Sequence, residues 1–177
     1  MCSQQADEVG SFELINNPSL RLLYQQAGDR RRWEAATARL WMALFTGMLP
    51  ASRQVYIVQE QPPANITRRR VDAKVYCFVN NVQRDLLYVE FKRASFPGGQ
   101  RAEAEDQVIR YCQTLLRANP GMRSISAMLC TGRQVAIWRV YRTTVAPVGA
   151  QFDDVDSQQG SRRVRGLFRR ILTRYGR

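Results

Sequence analysis

Val71-Asp72-Ala73-Lys74-Val75-Tyr76-Cys77-Phe78-Val79, then Asn80-Asn81, then a polar approach to Leu86-Leu87-Tyr88-Val89-Glu90-Phe91-Lys92, is the stretch on which the fold turns. Two runs of β-branched and aromatic residues around a turn-forming pair predict a hairpin. Side chains alternate along a strand, so Glu90 and Lys92 share one face while Val89 and Phe91 take the other. The hairpin brings Asp72 toward the end that carries Glu90. Two carboxylates and an ammonium gathered there form a minimal constellation for divalent-metal binding and phosphodiester hydrolysis. Asp72 and Glu90 offer hard oxygen ligands, and Lys92 can orient or deprotonate the attacking water or offset charge in the transition state. This chemistry needs no histidine, and the chain contains none.

Working outward, Asn17-Pro18-Ser19 offers a turn or helix start. A longer helix is expected from Asp29 as its cap, with Trp33, Thr37, Leu40, Leu44 and Met48 at helical spacing and Pro50 as its end. Arg53 to Val58 reads as a first strand and Gln61 to Asn65 as a loop. After Phe96-Pro97-Gly98-Gly99, read as a loop, a helix is expected over Arg101 to Arg117. Two further strands, Ile125 to Cys130 and Gln134 to Tyr141, flank the turn Thr131-Gly132-Arg133. The expected order is helix, three strands, helix, two strands. Residues 1–12 are expected to be disordered, 13–147 to form one α/β domain, and 148–177 to be a polar linker and basic C-terminal tail.

The chain has 177 residues and is 45% hydrophobic, enough for one substantial core. Lysine plus arginine number 27 against 15 acidic residues, a formal charge of +12, and Lys74 and Lys92 are the only lysines. Arginine suits bidentate contact with phosphate, whereas lysine is a compact point charge, so Lys92 beside Glu90 invites a special role. The excess charge predicts a polyanionic partner, nucleic acid before an anionic membrane surface. Cys2, Cys77, Cys112 and Cys130 are scattered without a Cys-x-x-Cys pair, and the polar start of the chain lacks a signal peptide. No apolar run approaches the ~20 residues of a membrane span. An intracellular location, nucleus or cytoplasm, is expected.

Asp72 followed by Glu90-Phe91-Lys92, on the second and third strands of an αβββαβ order, resembles the PD-(D/E)XK nuclease superfamily with its restriction-endonuclease-like fold. Gln107-Val108-Ile109-Arg110-Tyr111 on the following helix resembles the Gln-x-x-x-Tyr element of the RecB-like branch. The resemblance spans roughly residues 30–142. It implies an αβββαβ core, a mixed central sheet flanked by helices, and Mg2+ or Mn2+ held by Asp72 and Glu90, with Glu34 as an added acidic group. Lys92 would be the catalytic lysine, with Gln107 and Tyr111 flanking the site. Val71 stands where the eponymous proline often does. The upstream histidine usual in RecB-like enzymes is absent, and Glu90 replaces their more frequent aspartate.

Arg68-Arg69-Arg70 precede Asp72 and Arg93 follows Lys92, where a phosphate backbone approaching a metal would pass. Arg162, Arg163, Arg169 and Arg170 lie in the basic tail, whose Leu167, Phe168, Ile171 and Leu172 form an apolar stripe at helical spacing. That tail could grip nucleic acid, lie on an anionic membrane, direct nuclear import or dock on its own core; nucleic acid is favoured. The leading expectation is a metal-dependent nuclease acting on DNA before RNA, with homo-oligomers allowed. The alternatives are a non-cutting binding protein on the same fold and a protein whose tail binds a membrane surface.

Overall fold

The structure, a computed structural model, describes residues 14–50, 52, 54–61, 71–149 and 152–175. Helices α1 (Pro18–Gly28) and α2 (Glu34–Met48) precede strands β1 (Val55–Gln61), β2 (Val71–Val79) and β3 (Val82–Lys92). Helix α3 (Gly98–Ala118) leads to β4 (Ile125–Thr131), β5 (Gln134–Val140), β6 (Val145–Pro147), β7 (Asp153–Asp154) and helix α4 (Gln158–Tyr175). The sheet runs β1-β2-β3-β4-β5-β6, with β7 also paired to β5. Every pairing is antiparallel except β3 with β4, which α3 joins by a crossover. The fold is thus α/β, with an open, mostly antiparallel seven-stranded sheet and four helices among the described residues.

The hairpin forms where the sequence predicts it. Asn80 and Asn81 adopt φ of 52° and 60°, and a two-residue type I′ turn requires positive φ at both central positions. Strand β3 begins earlier than expected, at Val82, and contains a bulge. Val75 faces Leu87 but Tyr76 faces Asp85, so Leu86 is an extra residue on β3. This turns Asp85 onto the side of Lys74 and Tyr88. Lys74 Nζ (3.4 Å) and the Tyr88 hydroxyl (2.8 Å) donate to Asp85 Oδ2, and Gln83 Nε2 (2.8 Å) donates to Oδ1. One of the two lysines is therefore buried in a structural network.

Helices cover both sheet faces. Ala73, Val75, Leu87, Val89 and Phe91 pack with Leu40, Trp41 and Phe45 of α2 and with Phe168 of α4. On the other face Tyr88, Leu129 and Trp138 meet Val108, Tyr111, Cys112 and Leu116 of α3.

Other boundaries differ from expectation, and β1 runs on to Gln61. Helix α2 starts at Glu34 behind Trp33, which is 81% exposed. Asp29 closes α1 instead, and its carboxylate accepts from Arg31 N at 2.9 Å. Gly98 and Gly99, read as loop, form the first turn of α3. The core also continues past 147: β7 pairs with β5, and α4 buries Val164, Leu167, Phe168 and Ile171 in the α2 core, with Phe168 stacked on Phe45 at 5.2 Å between centroids. The stripe read from the tail docks on its own core. No helix among the described residues is long and apolar enough to cross a membrane.

Candidate functional site

Strand β3 ends against α2 and the β4–β5 turn. Thr37 Oγ1 donates to the Lys92 carbonyl at 2.9 Å, and Gly132 N reaches the same carbonyl at 3.0 Å. Trp41 Nε1 donates to the Gly132 carbonyl at 2.9 Å. Gly132 has φ of 57°, and a Cβ there would meet the Ala27 carbonyl oxygen and Ala94 Cβ, each at 2.7 Å. Glycine is required at that turn, and the turn fixes the strand end.

On that end sits Glu90, 2% exposed. Its Oε1 accepts from Lys92 Nζ at 2.6 Å and from Gln107 Nε2 of α3 at 3.0 Å. Its Oε2 is buried and has no hydrogen-bond partner among the described residues. Lys92 Nζ also lies 3.8 Å from Glu34 Oε2, at the start of α2. Asp72 Oδ2 accepts from the Phe91 backbone N–H at 2.6 Å, tying β2 to β3 beside Glu90.

Negative charge is in surplus here. Burial, then the neighbouring Asp72 carboxylate, push the Glu90 carboxyl up to about 7, although Lys92 pulls the other way. Glu34 is raised by burial despite Lys92, with Asp72 adding to the rise. Burial alone would lower the Lys92 ammonium, but Glu90, Glu34 and Asp72 more than offset it and its pKa is raised. Three acidic groups therefore influence one another around a single ammonium that stays protonated.

Glu34, Arg39, Gln59, Asp72 and Phe91 line a cleft of about 700 Å³, and Glu90 and Gln107 are not part of its lining. Asp72 and Glu34 face this open space while Glu90 is enclosed. No group of three or more His, Cys, Asp or Glu side chains with metal-holding geometry occurs among the described residues. Magnesium does not need one, because it keeps several waters and takes one or two protein carboxylates. Glu90 Oε2, buried without a hydrogen-bond partner among the described residues and in a carboxyl that feels the Asp72 charge, suits such an ion.

The structure thus brings Asp72, Glu90, Lys92, Gln107 and Glu34 together. Tyr111 is 8% exposed and packs in the α3 core. Arg93 is exposed and close enough to Glu34 to lower its pKa. Arg68, Arg69 and Arg70 lie outside the described residues. Arg162 is exposed on α4, and Arg163 is ion-paired with Asp153. Arg169 and Arg170 line a different cleft that includes Arg84, at the far end of β3. Sequence reasoning missed Thr37, Trp41 and Gly132, whose roles depend on tertiary contacts; a glycine in a strand-to-strand turn was the one available signal. No family model, no curated protein and no solved structure matches the chain.

Proposed function

We propose that this protein is a divalent-metal-dependent nuclease of the PD-(D/E)XK type, hydrolysing phosphodiester bonds in nucleic acid, DNA before RNA. The observation that carries the reading is the Glu90 carboxylate. One oxygen is held by Lys92 and Gln107, and the other is buried without a hydrogen-bond partner among the described residues, in a carboxyl whose pKa Asp72 helps to raise. The single Lys92 ammonium does not offset the neighbouring Glu90, Asp72 and Glu34 carboxyls, so a further cation is the natural complement.

Asp72 and Glu90 would hold Mg2+ or Mn2+, which when bound supplies Lewis acidity toward phosphate and water. Gln107 fixes the rotamer of Glu90 through its hydrogen bond. Lys92, kept as an ammonium by its acidic neighbours, donates hydrogen bonds and positive charge toward the scissile phosphate instead of accepting a proton from water. Glu34 and Arg39 border the cleft through which a strand would approach Asp72. The positive charge of the whole chain favours a polyanionic substrate.

The test is cleavage of supercoiled plasmid and of a single-stranded circle with Mg2+ or Mn2+, comparing wild type with Asp72→Ala and Lys92→Ala. Cutting by wild type alone supports the assignment, with Lys92→Ala still binding the metal. Equal cutting by all three proteins places the activity elsewhere. Binding without cutting by wild type favours a nuclease fold that only holds nucleic acid.

A further inference from the structure

A second cleft, of about 530 Å³, lies between the beginnings of β3 and β4, the end of β5 and the C-terminal half of α4. Six arginines line it: Arg84, Arg123, Arg139, Arg169, Arg170 and Arg174. None of the six is ion-paired with a carboxylate among the described residues. The lining's acidic residue, Asp85, is held by Lys74, Gln83 and Tyr88.

The bulge at Leu86 is what builds this wall. Without the extra residue, Asp85 would share a face with Leu87; with it, Asp85 turns to Lys74, and Arg84 stands opposite Cys77, whose side chain belongs to the α2 and α4 core. Arg84 therefore joins the arginines of α4 across one cavity. Gathering like charges raises the energy of the folded protein unless an anion offsets it. Guanidinium groups are fork-shaped donors that match phosphate in a bidentate manner.

We propose that this cleft binds the phosphates of a nucleotide, either free or as one unit of a strand. Its volume falls within the few hundred to about 1,000 Å³ typical of small-molecule sites. Leu86, Met122, Leu167 and Ile171 add an apolar part to the lining, which suits a base and would be wasted on inorganic phosphate. The site is separate from Glu90: six residues along β3 part Arg84 from Glu90, about 20 Å at strand rise. It does not depend on the nuclease reading.

The test uses the full chain without divalent ions. Binding of ATP, pyrophosphate and a short oligothymidylate is measured for wild type, for Arg123→Glu combined with Arg170→Glu, and for Arg117→Glu, an exposed arginine of α3 outside the cleft's lining. The substituted cleft arginines are exposed, so the double variant should fold. ATP should bind more tightly than pyrophosphate and compete with it. The double variant should lose about tenfold or more in affinity, while Arg117→Glu stays near wild type. Tighter binding of ATP than of the oligonucleotide identifies a free nucleotide; tighter binding of the oligonucleotide identifies nucleic acid. Failure of all three probes to bind wild type, or equal binding by the double variant, overturns the proposal.

Discussion

Replacing Glu90 with Gln should stabilise the fold, and the gain should depend on pH. The Glu90 carboxyl is pushed from the ordinary 4.5 up to about 7, first by burial and then by Asp72. Between these values the folded protein binds a proton that the unfolded chain has released. Stability from this group is therefore complete below about 4.5 and declines as pH rises through 7. A rise from 4.5 to about 7, at 1.36 kcal/mol for each tenfold change in proton affinity, means that ionised Glu90 costs the fold about 3 kcal/mol above neutrality. Gln preserves shape and acceptor: Lys92 and Gln107 can still donate to its oxygen. For a chain of this size, about 3 kcal/mol corresponds to a Tm rise of roughly 6–12 °C. Calorimetry of both proteins at pH 4, 6 and 8 should show curves that coincide at pH 4 and diverge by pH 8, with the variant more stable. A difference that is absent at pH 8, or the same at every pH, would refute the view that Glu90 is a buried carboxyl destabilised by its surroundings.

The remaining predictions concern the scaffold. Asn81→Val places a β-branched residue at φ of 60° and should lower stability by about 1–2 kcal/mol in urea melts, while Asn81→Gly should be neutral or stabilising. Phe168→Ala should cost about 3–5 kcal/mol, because Phe168 is 1% exposed against Phe45. An unchanged urea midpoint would mean that α4 is a detachable tail after all.

The hairpin was legible because its two signals agree: a pair of asparagines that tolerate positive φ, and alternating charges at Glu90 and Lys92. Lys92 meets Glu90 as strand alternation suggests, and Gln107 reaches Glu90 where the resemblance to the Gln-x-x-x-Tyr element, and not its spacing alone, put it. The bulge was not legible, since Leu86 beside Leu87 leaves an apolar run that reads the same in either register. It places Asp85 in a buried network with Lys74, Gln83 and Tyr88 and brings Arg84 toward α4. The periodicity of Val164, Leu167, Phe168 and Ile171 announced an apolar face but not what covers it; only the matching surface of Phe45 and its neighbours decides that. Trp33 misled because helical spacing alone extends a stripe beyond a helix start, and Trp33 lies outside the first turn, in solvent.

The most direct measurement is calorimetric titration of Mg2+ into wild type and Glu90→Gln at pH 6 and pH 8, in two buffers of different ionisation enthalpy. If Glu90 is a ligand with a carboxyl pKa of about 7, the ion must displace its proton. Binding to wild type should then release about 0.9 proton at pH 6 and about 0.1 at pH 8, with tighter binding at the higher pH. Glu90→Gln should show neither the binding nor the proton release. Mg2+ binding that is equal in the two proteins, or that releases the same number of protons at both pH values, would contradict the assignment of Glu90 as the metal-holding carboxylate.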